Sequence, residues 1–296
     1  MSFWQRLFRR KPPTPPSPDR VQTAPLDPGV LARPPALRTT HRVVIGAAQS
    51  TGMERNHNED SLFFLTGVSD GQERLPDFGL FVVADGMGGH RAGEVASSIS
   101  VRTVAHRLLS DTVLHLFDLE PKDDGASLQE QVRAALEEAN ATVVDRVPGG
   151  GTTLTAAVWL GQQITIGHVG DSRAYVINHD GPKVITRDHS LVQRLVELEQ
   201  LTEEEAALHP QRNVLWNAIG QGPNLKVDVA SHPVPQDGYI LLCSDGLWGV
   251  VPDAEIQRLV LGAPDPQSAC DQLVQAANAA GGPDNITVIL VYFPSE

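Results

Sequence analysis

The sequence predicts an α+β fold or a layered α/β/β/α fold, in which helices pack on antiparallel sheets. Apolar, β-branched runs bounded by turn residues come in pairs and triplets between helical segments, unlike the regular strand and helix alternation of a parallel sheet. The chain has 296 residues, of which 41% are hydrophobic and 20% are charged. Such a composition indicates a globular protein with a sizeable core.

Ten segments have the pattern of strands, and four have the pattern of helices. Segments 91–110, 127–145 and 265–280 are rich in Ala, Val and Leu, the last two at helical steps of three or four. Segment 189–208 is also helical in pattern, and Thr202, a suitable N-cap, predicts a break into two helices. The predicted strands are 43–49, 61–65, 78–84, 153–160, 162–169, 173–178, 183–186, 227–233, 239–244 and 286–293.

The first 38 residues differ in composition from the rest. They carry seven basic and two acidic side chains and nine of the 22 prolines. Prolines at this density exclude helices and ladders, so residues 12–38 are predicted to be an extended linker and residues 39–296 the folded domain.

Residues 1–11 place Phe3, Trp4, Leu7 and Phe8 on one helical face beside four basic residues. Two readings stay open. One is a short anchor on anionic lipid, giving weak peripheral membrane contact; the other is a soluble basic arm or a peptide that docks on a protein.

Overall composition excludes several classes of function. A net charge of −13 argues against nucleic acid as a partner. The sequence contains no apolar stretch of membrane-spanning length and no secretory leader, so we expect a cytoplasmic protein. Cys243 and Cys270 form neither a disulfide framework nor a zinc ribbon, and Cys243 is expected to be a core residue.

Carboxylates recur at the ends of predicted strands. Asp85, Asp171 and Asp245 follow apolar strands directly, while Asp60 and Asp284 lie in acidic or amide-rich turns. Two like charges at about 4 Å repel by roughly 4 kcal/mol at an effective dielectric near 20, so convergence of these groups would require cations. Oxygen ligands favour Mg²⁺ or Mn²⁺, and two such ions can share a hydroxide that attacks phosphoesters.

Arg55 precedes Glu59 by four residues and Asp60 by five. A guanidinium beside two metal ions is suited to binding phosphate in a bidentate manner. An ordinary ion pair with Glu59 or Asp60 explains the spacing equally well.

Six motifs, in order, resemble the metal-dependent serine/threonine protein phosphatases, the type 2C or PPM family, in its bacterial branch. The resemblance covers about residues 41–293 and implies two antiparallel sheets flanked by helix pairs, with a binuclear metal centre at one edge. The motifs are Arg55-x-x-Asn-Glu-Asp60, Asp85-Gly-Met-Gly-Gly-His90, Gly151-Thr-Thr153, Gly170-Asp-Ser-Arg173, Ser244-Asp-Gly-Leu247 and Asp284-Asn-Ile-Thr287.

The resemblance also implies roles for individual residues. Asp85 would bridge two Mn²⁺ or Mg²⁺ ions, the Gly86 carbonyl would bind one of them, and Asp245 and Asp284 would bind the other. Glu59 and Asp60 would hold waters on the ions, and Arg55 would hold the substrate phosphate. Asp171, with Asp245, would form a third, weaker ion site, and residues 188–221 would form a flap that brings Asn213 near it.

Met87 stands where many eukaryotic members have a histidine that is proposed to be the general acid. Methionine cannot donate a proton, so the acid is left open between a water on the metal, His57 and His90. Gly86 lacks a Cβ, which would let its carbonyl approach an ion closely.

The predicted function is therefore hydrolysis of phosphoserine and phosphothreonine by attack of a metal-bridging hydroxide. Two alternatives are weighed against it: a pseudophosphatase that only binds, which would have lost metal-site Asp residues, and a hydrolase of small phosphoesters. The expected partners are phosphorylated proteins, namely Ser/Thr kinases and their targets. We expect a monomer in the cytoplasm; a weak contact of the first eleven residues with the inner face of the membrane stays one of the two open interpretations of that segment.

Overall fold

The computed structural model describes residues 43–68, 75–88, 91–118 and 125–295. The predictions made for the tail at 1–38, for its first eleven residues and for His90 lie outside the described residues. None of the helices in the described ranges is long and apolar enough to cross a membrane.

Two five-stranded antiparallel sheets form the centre of the domain. The first sheet has the order β1-β12-β11-β8-β9, and the second has the order β10-β7-β6-β3-β2. Two short strands, β4 and β5, pair separately. The strands are β1 Val44–Ser50, β2 Ser61–Gly67, β3 Phe78–Ala84, β4 Gly86–Met87, β5 Gly151–Thr152, β6 Leu154–Leu160, β7 Gln163–Val169, β8 Arg173–Asn178, β9 Gly181–Val184, β10 Asp228–Pro233, β11 Gly238–Cys243 and β12 Ile286–Phe293.

Strand β3 shows why the sheets stack. Successive side chains of a strand point to opposite faces, and those of β3 are buried on both. Phe81 and Val83 join Ile240, Leu242 and other residues of the first sheet in a core between the sheets. Leu80, Val82 and Ala84 join the core beneath a helix pair. Burial on both faces accounts for the uninterrupted apolar run that predicted this strand.

Helix pairs cover the outer face of each sheet. On the second sheet lie α1 Arg91–Leu108, which continues into a π-helical turn and a 3₁₀ turn as far as Phe117, and α2 Leu128–Arg146. On the first sheet lie α6 Asp253–Gly262 and α7 Pro266–Ala279. Two of these helices begin at side-chain caps: Ser127 and Glu130 form a capping box on α2, and Asp265 caps α7. The predicted α+β fold, a layered α/β/β/α sandwich, is confirmed.

Several elements differ from the sequence prediction, among them the short strands β4 and β5, which were not predicted. Strand β9 begins at Gly181 rather than 183, because a two-residue turn at His179 and Asp180 closes the hairpin and pairs Asn178 with Gly181. Helix α6 was not predicted. The segment 189–208 divides as expected, with α3 Leu191–Glu197 and α4 Glu203–Ala207, and Thr202 caps α4 in a capping box. A one-turn helix, α5 Asp245–Trp248, follows β11.

Candidate metal centre

An open cleft of about 500 Å³ lies at one end of the sandwich. In antiparallel sheets, the residues that follow one strand and precede its partner meet at the same edge. Asp85 follows β3, Asp171 follows β7, Asp245 follows β11, and Asp284 precedes β12. The cleft is lined by these four residues and by Glu54, Arg55, Asn56, His57, Glu59, Gly86, Met87, Gly88, Thr153, Asn213, Leu215, Gln221 and Asn285.

The backbone of Asp85 is held on both sides by two threonines. Its amide donates to Oγ1 of Thr153 at 2.9 Å, and its carbonyl accepts from Oγ1 of Thr152 at 2.8 Å and from the amide of Thr153 at 2.8 Å. Thr153 is held in turn by a 2.7 Å hydrogen bond with Ser172. Asp85 therefore has a fixed position although it lies just beyond the end of β3.

Asp60 is buried between the two sheets. Its Oδ2 accepts from Oγ1 of Thr287 at 2.6 Å and from Oγ of Ser244 at 2.9 Å. Its Oδ1 is also buried and has no hydrogen-bond partner. A buried carboxylate with an unsatisfied oxygen is costly, so this side chain fits a site where water or a cation completes its contacts.

The electrostatics show that the carboxylates converge. Burial raises the pKa of Asp85 well above its usual range, and the charges of Asp60 and Asp245 raise it further. Burial also raises the pKa of Asp245 to about 6, with Asp284 adding to the shift. The pKa of Asp171 is raised by burial and then by Asp245. Mutual repulsion of this kind is relieved by divalent cations.

The donor set fits hard divalent ions. All of the candidate ligands are oxygen atoms, and Oδ1 of Asp245 is buried without a hydrogen-bond partner. Among the described residues, no group of three or more Asp, Glu, His or Cys side chains is placed to hold a metal ion on its own. Backbone and solvent oxygens would have to complete the coordination, and an all-oxygen donor set suits Mg²⁺ or Mn²⁺ better than Zn²⁺.

Gly86 is required by packing. A Cβ built there would lie 2.4 Å from the carbonyl oxygen of Gly93 and 2.5 Å from that of Glu59. The latter carbonyl also accepts from Oγ of Ser97 at 2.6 Å. A glycine at 86 thus lets the segment before β2 approach the start of α1, and it places Gly86 and Glu59 together in the wall of the cleft.

Arg55 lies at the rim of the cleft, with its side chain 55% exposed. Its Nη2 donates to Oδ2 of Asp284 at 2.7 Å. Arg55 thus forms an ion pair with Asp284, whereas the sequence spacing suggested Glu59 or Asp60. The charges of Asp284 and then Glu59 raise the pKa of Arg55 despite partial burial, so the guanidinium stays charged.

Asp171 is positioned by an aromatic and basic layer behind it. Nε1 of Trp248 donates to the Asp171 carbonyl at 3.0 Å. The Arg173 guanidinium lies 3.7 Å from the centre of the Trp248 ring and forms a two-pronged ion pair with Asp188, with its shortest contact at 2.8 Å. This layer orients the tryptophan that holds Asp171.

Comparison with known proteins agrees with this geometry. The family model described as Protein phosphatase 2C matches residues 46–286.

The chain belongs to the protein phosphatase 2C family.

Curated members and solved structures of the family are similar over most of the chain. A relative named serine/threonine phosphatase stp, from Listeria innocua, is 37% identical over 246 residues, which are 81% of this chain and 92% of that protein. The crystal structure of the Mycobacterium tuberculosis phosphatase PstP/Ppp matches with a TM-score of 0.71 and 31% identity, covering 86% of this chain and 99% of that one. A structure of the PstP catalytic domain in complex with two manganese ions matches with a TM-score of 0.70 and 31% identity, covering 86% and 100%.

The sequence did not reveal the structural role of Asn285 in this site. Its Oδ1 accepts from the Glu59 amide at 2.8 Å, and its Nδ2 donates to the carbonyls of Thr51 at 2.9 Å and His57 at 2.8 Å. It therefore ties the whole Arg55 to Asp60 segment of this family member to the start of β12. The Asp284-Asn285 dipeptide before a strand was the available signal.

The other predicted residues divide between cleft and core. Met87 and the exposed His57 line the cleft, as does Asn213 from the predicted flap. Cys243 is fully buried in the core beneath α6 and α7, and burial raises its pKa. A buried thiol with a raised pKa is unreactive, in agreement with the core assignment.

Proposed function

We propose that this member of the protein phosphatase 2C family hydrolyses phosphoserine and phosphothreonine in proteins, using two divalent cations held in the cleft. The observation that carries the proposal is the convergence of Asp85, Asp171, Asp245 and Asp284 in one cleft, with the buried Asp60 near enough for its charge to raise the pKa of Asp85. Family membership supports the activity, and a similar structure in complex with two manganese ions supports the cofactor.

The cation ligands are proposed from position and chemistry. Asp85 shares the cleft with the other carboxylates and would contact both cations, with the Gly86 carbonyl on one and Asp245 and Asp284 on the other. Asp171, beside Asp245, would serve a third, weaker site. When bound, the cations would ionise a water near neutral pH and neutralise charge on the phosphoryl group.

Asp60 and Glu59 act around that centre. The Oδ1 atom of Asp60 has an unused acceptor site, and Glu59 lines the cleft with its backbone held by Asn285 and Ser97. Both carboxylates would accept hydrogen bonds from ordered water and so orient it toward phosphorus.

Arg55 would bind and orient the substrate phosphate. A cation held by Asp284 would compete with the guanidinium for the same carboxylate, and the donors of Arg55 would then be available to an incoming phosphate. The leaving alkoxide needs a proton that Met87 cannot donate. Among the described residues that line the cleft, His57 is the one histidine that could donate this proton, and its side chain is exposed to solvent.

A substrate panel tests this function. The wild-type chain with Mn²⁺ should hydrolyse a phosphothreonine peptide and para-nitrophenyl phosphate, and Asp85→Asn should lose at least about 10²-fold in turnover of both. Nucleotides and sugar phosphates should be poor substrates. Equal or better turnover of these small esters would favour a small phosphoester hydrolase, and binding of phosphopeptide without turnover would indicate a pseudophosphatase.

The proposed partners follow from this activity: phosphorylated proteins, among them Ser/Thr kinases and their targets. The relatives named serine/threonine phosphatase support that class of substrate. A monomeric state, a cytoplasmic location and a membrane contact through residues 1–11 stay predictions.

A further inference from the structure

A second open groove, of about 740 Å³, lies between the two sheets at the side of the sandwich. Strand β9 is the last strand of the first sheet, and β10 is the last strand of the second. Residues of both strands line the groove. We call it the basic groove, because its walls carry the cations Arg133, Lys183, Arg187 and Lys226.

The charge of the basic groove is opposite to that of the domain. Residues 39–296 contain 16 basic and 34 acidic side chains, a net charge of −18 with histidines neutral. The groove gathers four of those 16 cations and a single acidic side chain, Asp228. An acidic domain that concentrates cations in one concave site attracts anionic partners there and repels them elsewhere.

Two of the four cations form no ion pair with a carboxylate of the described residues. Arg187 pairs with Glu197, and Lys226 lies 3.4 Å from Asp228. In the described part of the chain, Lys183 and Arg133 make no ion pair, and both are exposed.

The walls also offer polar groups that are not fully used in hydrogen bonds. Arg133 donates one Nη1 hydrogen bond, at 2.6 Å, to the Val227 carbonyl, which leaves its other guanidinium donors for a ligand. The Nε2 atom of His232 is buried in the wall without a hydrogen-bond partner.

The shape of the groove favours an extended peptide. Strands β9 and β10 each pair with a neighbour on one side only, so each has one free edge. An extended chain can add to such an edge through backbone hydrogen bonds. A small anion would use the cations but not the strand edges.

The basic groove is close to the metal cleft. His168 lines the groove and Asp171 lines the cleft, and they are three residues apart in the chain. Their Cα atoms are therefore separated by no more than about 10 Å.

The groove also holds both ends of the predicted flap. Arg187 and Lys226 flank the segment 188–221, and Nε2 of the buried His189 contacts Oδ2 of Asp228 at 3.1 Å. That segment reaches the cleft with Asn213, Leu215 and Gln221. A ligand in the groove thus contacts the base of the segment that borders the active cleft.

We infer that the basic groove binds an acidic stretch of the phosphoprotein substrate, in extended form, while the phosphorylated residue lies in the metal cleft. This inference rests on the proposed phosphatase function. The groove begins at His168, within about 10 Å of Asp171 in the cleft, and continues along β10 from Asp228 to His232. Since an extended peptide advances about 3.3 Å per residue, the acidic stretch should occupy roughly positions four to eight from the phosphorylated residue.

The test compares two phosphothreonine peptides that differ in one stretch of five residues, which is all Glu in one peptide and all Gln in the other. The stretch occupies positions four to eight from the phosphothreonine, and one such pair of peptides is made for each side of it. The readout is the ratio of kcat/KM for the Glu peptide to kcat/KM for the Gln peptide, measured with Mn²⁺. Because each variant serves as its own reference, a general loss of activity does not change the ratio.

We expect a ratio of about ten or more for the wild-type chain at low salt, declining toward one as salt screens the groove. Lys183→Gln should lower the ratio at least threefold, and Lys183→Glu should lower it further. Arg258→Gln is the matched control, because it removes one exposed cation from α6 and should leave the ratio unchanged.

A wild-type ratio of one, or a ratio that Lys183→Glu leaves unchanged, would overturn the groove assignment while the phosphatase function stands. Failure of the wild-type chain to hydrolyse either peptide would instead overturn the proposed function.

Discussion

The guanidinium of Arg55 and the carboxylate of Asp284 form an ion pair with 2.7 Å between Nη2 and Oδ2, across 229 positions of the chain. Oδ1 of Asp284 accepts from the amide of Asn285 at 2.8 Å. The Asp284 carboxylate therefore belongs to the proposed metal site, while its Oδ2 also accepts from Arg55, the residue proposed to bind phosphate. If Asp284 binds a cation and Arg55 binds substrate, as proposed, this contact would link the two events.

Arg55→Ala should raise KM for para-nitrophenyl phosphate about tenfold or more, since a hydrogen bond to a charged group is worth about 1.5–3 kcal/mol. Turnover at saturating substrate should fall much less, because the carboxylates remain in place. The same variant should bind Mn²⁺ more tightly in calorimetry, because the competing guanidinium is gone. An unchanged KM would assign Arg55 to the ion pair alone.

Asn285→Ala should destabilise the domain by roughly 2–4 kcal/mol, because three partly buried hydrogen bonds are lost at about 0.5–1.5 kcal/mol each. It should also weaken Mn²⁺ binding, since the segment carrying Glu59 and Asp60 loses its attachment to β12. Thermal unfolding and calorimetry measure the two effects. Asn278→Ala is the control: Asn278 contacts Ser50 through two weaker hydrogen bonds, and its loss should leave Mn²⁺ affinity unchanged.

Divalent cations should stabilise the folded chain. An ion at 100 times its Kd adds about 2.7 kcal/mol, which for a domain of this size raises Tm by roughly 5–10 °C. Mn²⁺, Mg²⁺ and Ca²⁺ should all raise Tm, because each relieves repulsion among the carboxylates, although Ca²⁺ should support little turnover. Asp85→Asn should remove most of the shift. If no divalent ion changed the Tm of the wild-type chain, the carboxylates would not form a metal centre.

Without divalent cations, stability should fall as pH rises. Burial raises the pKa of Asp60 to about 7 and that of Asp245 to about 6, from an ordinary value of 3.8. The folded state therefore holds these protons more tightly than the unfolded state. The stability they confer is fully present below the unfolded pKa and is lost as pH rises from about 4 to about 7, by up to about 1.4 kcal/mol per pH unit for each group.

Thermal unfolding in EDTA between about pH 5 and about pH 8 measures this dependence. Asp60→Asn should flatten the curve, because the amide keeps an acceptor for Thr287 and Ser244 but carries no charge. Asp180→Asn, in the exposed β8 to β9 turn, should leave the slope unchanged. A Tm that rises with pH in EDTA would contradict the sign.

Much of the site could be predicted from the sequence, because its acidic residues directly follow or precede strands that have strong apolar patterns. Asp85, Asp171 and Asp245 are such residues, and the structure brings them to one cleft. Pairing across the fold could not be predicted: the contact of Arg55 with Asp284 depends on how distant loops meet. The hydrogen bonds of Asn285 escaped prediction for the same reason.

The fold was predictable to a similar degree. Alternating or continuous apolar runs located ten strands, but β9 was displaced by two residues because a short turn, and not hydrophobicity, determines where the hairpin closes. Helix α6 was missed although Ile256, Leu259 and Val260 have helical spacing and are buried. The basic groove has no linear signature at all, since its cations come from α2, from β9 and from the two ends of the segment that joins β9 to β10.

The carboxylates of the cleft belong to both layers of the sandwich: Asp85 continues a strand of the second sheet, Asp245 and Asp284 adjoin strands of the first, and Asp171 lies where the chain crosses from one to the other. Ions bound among these carboxylates would cross-link the two sheets at that end of the sandwich. A shift of one sheet against the other would then move the ligands apart. Core substitutions far from the cleft, such as those that change the volume of Phe81 or Leu242, would therefore reduce metal affinity before they unfold the domain. Selection for catalysis therefore also constrains the packing between the sheets.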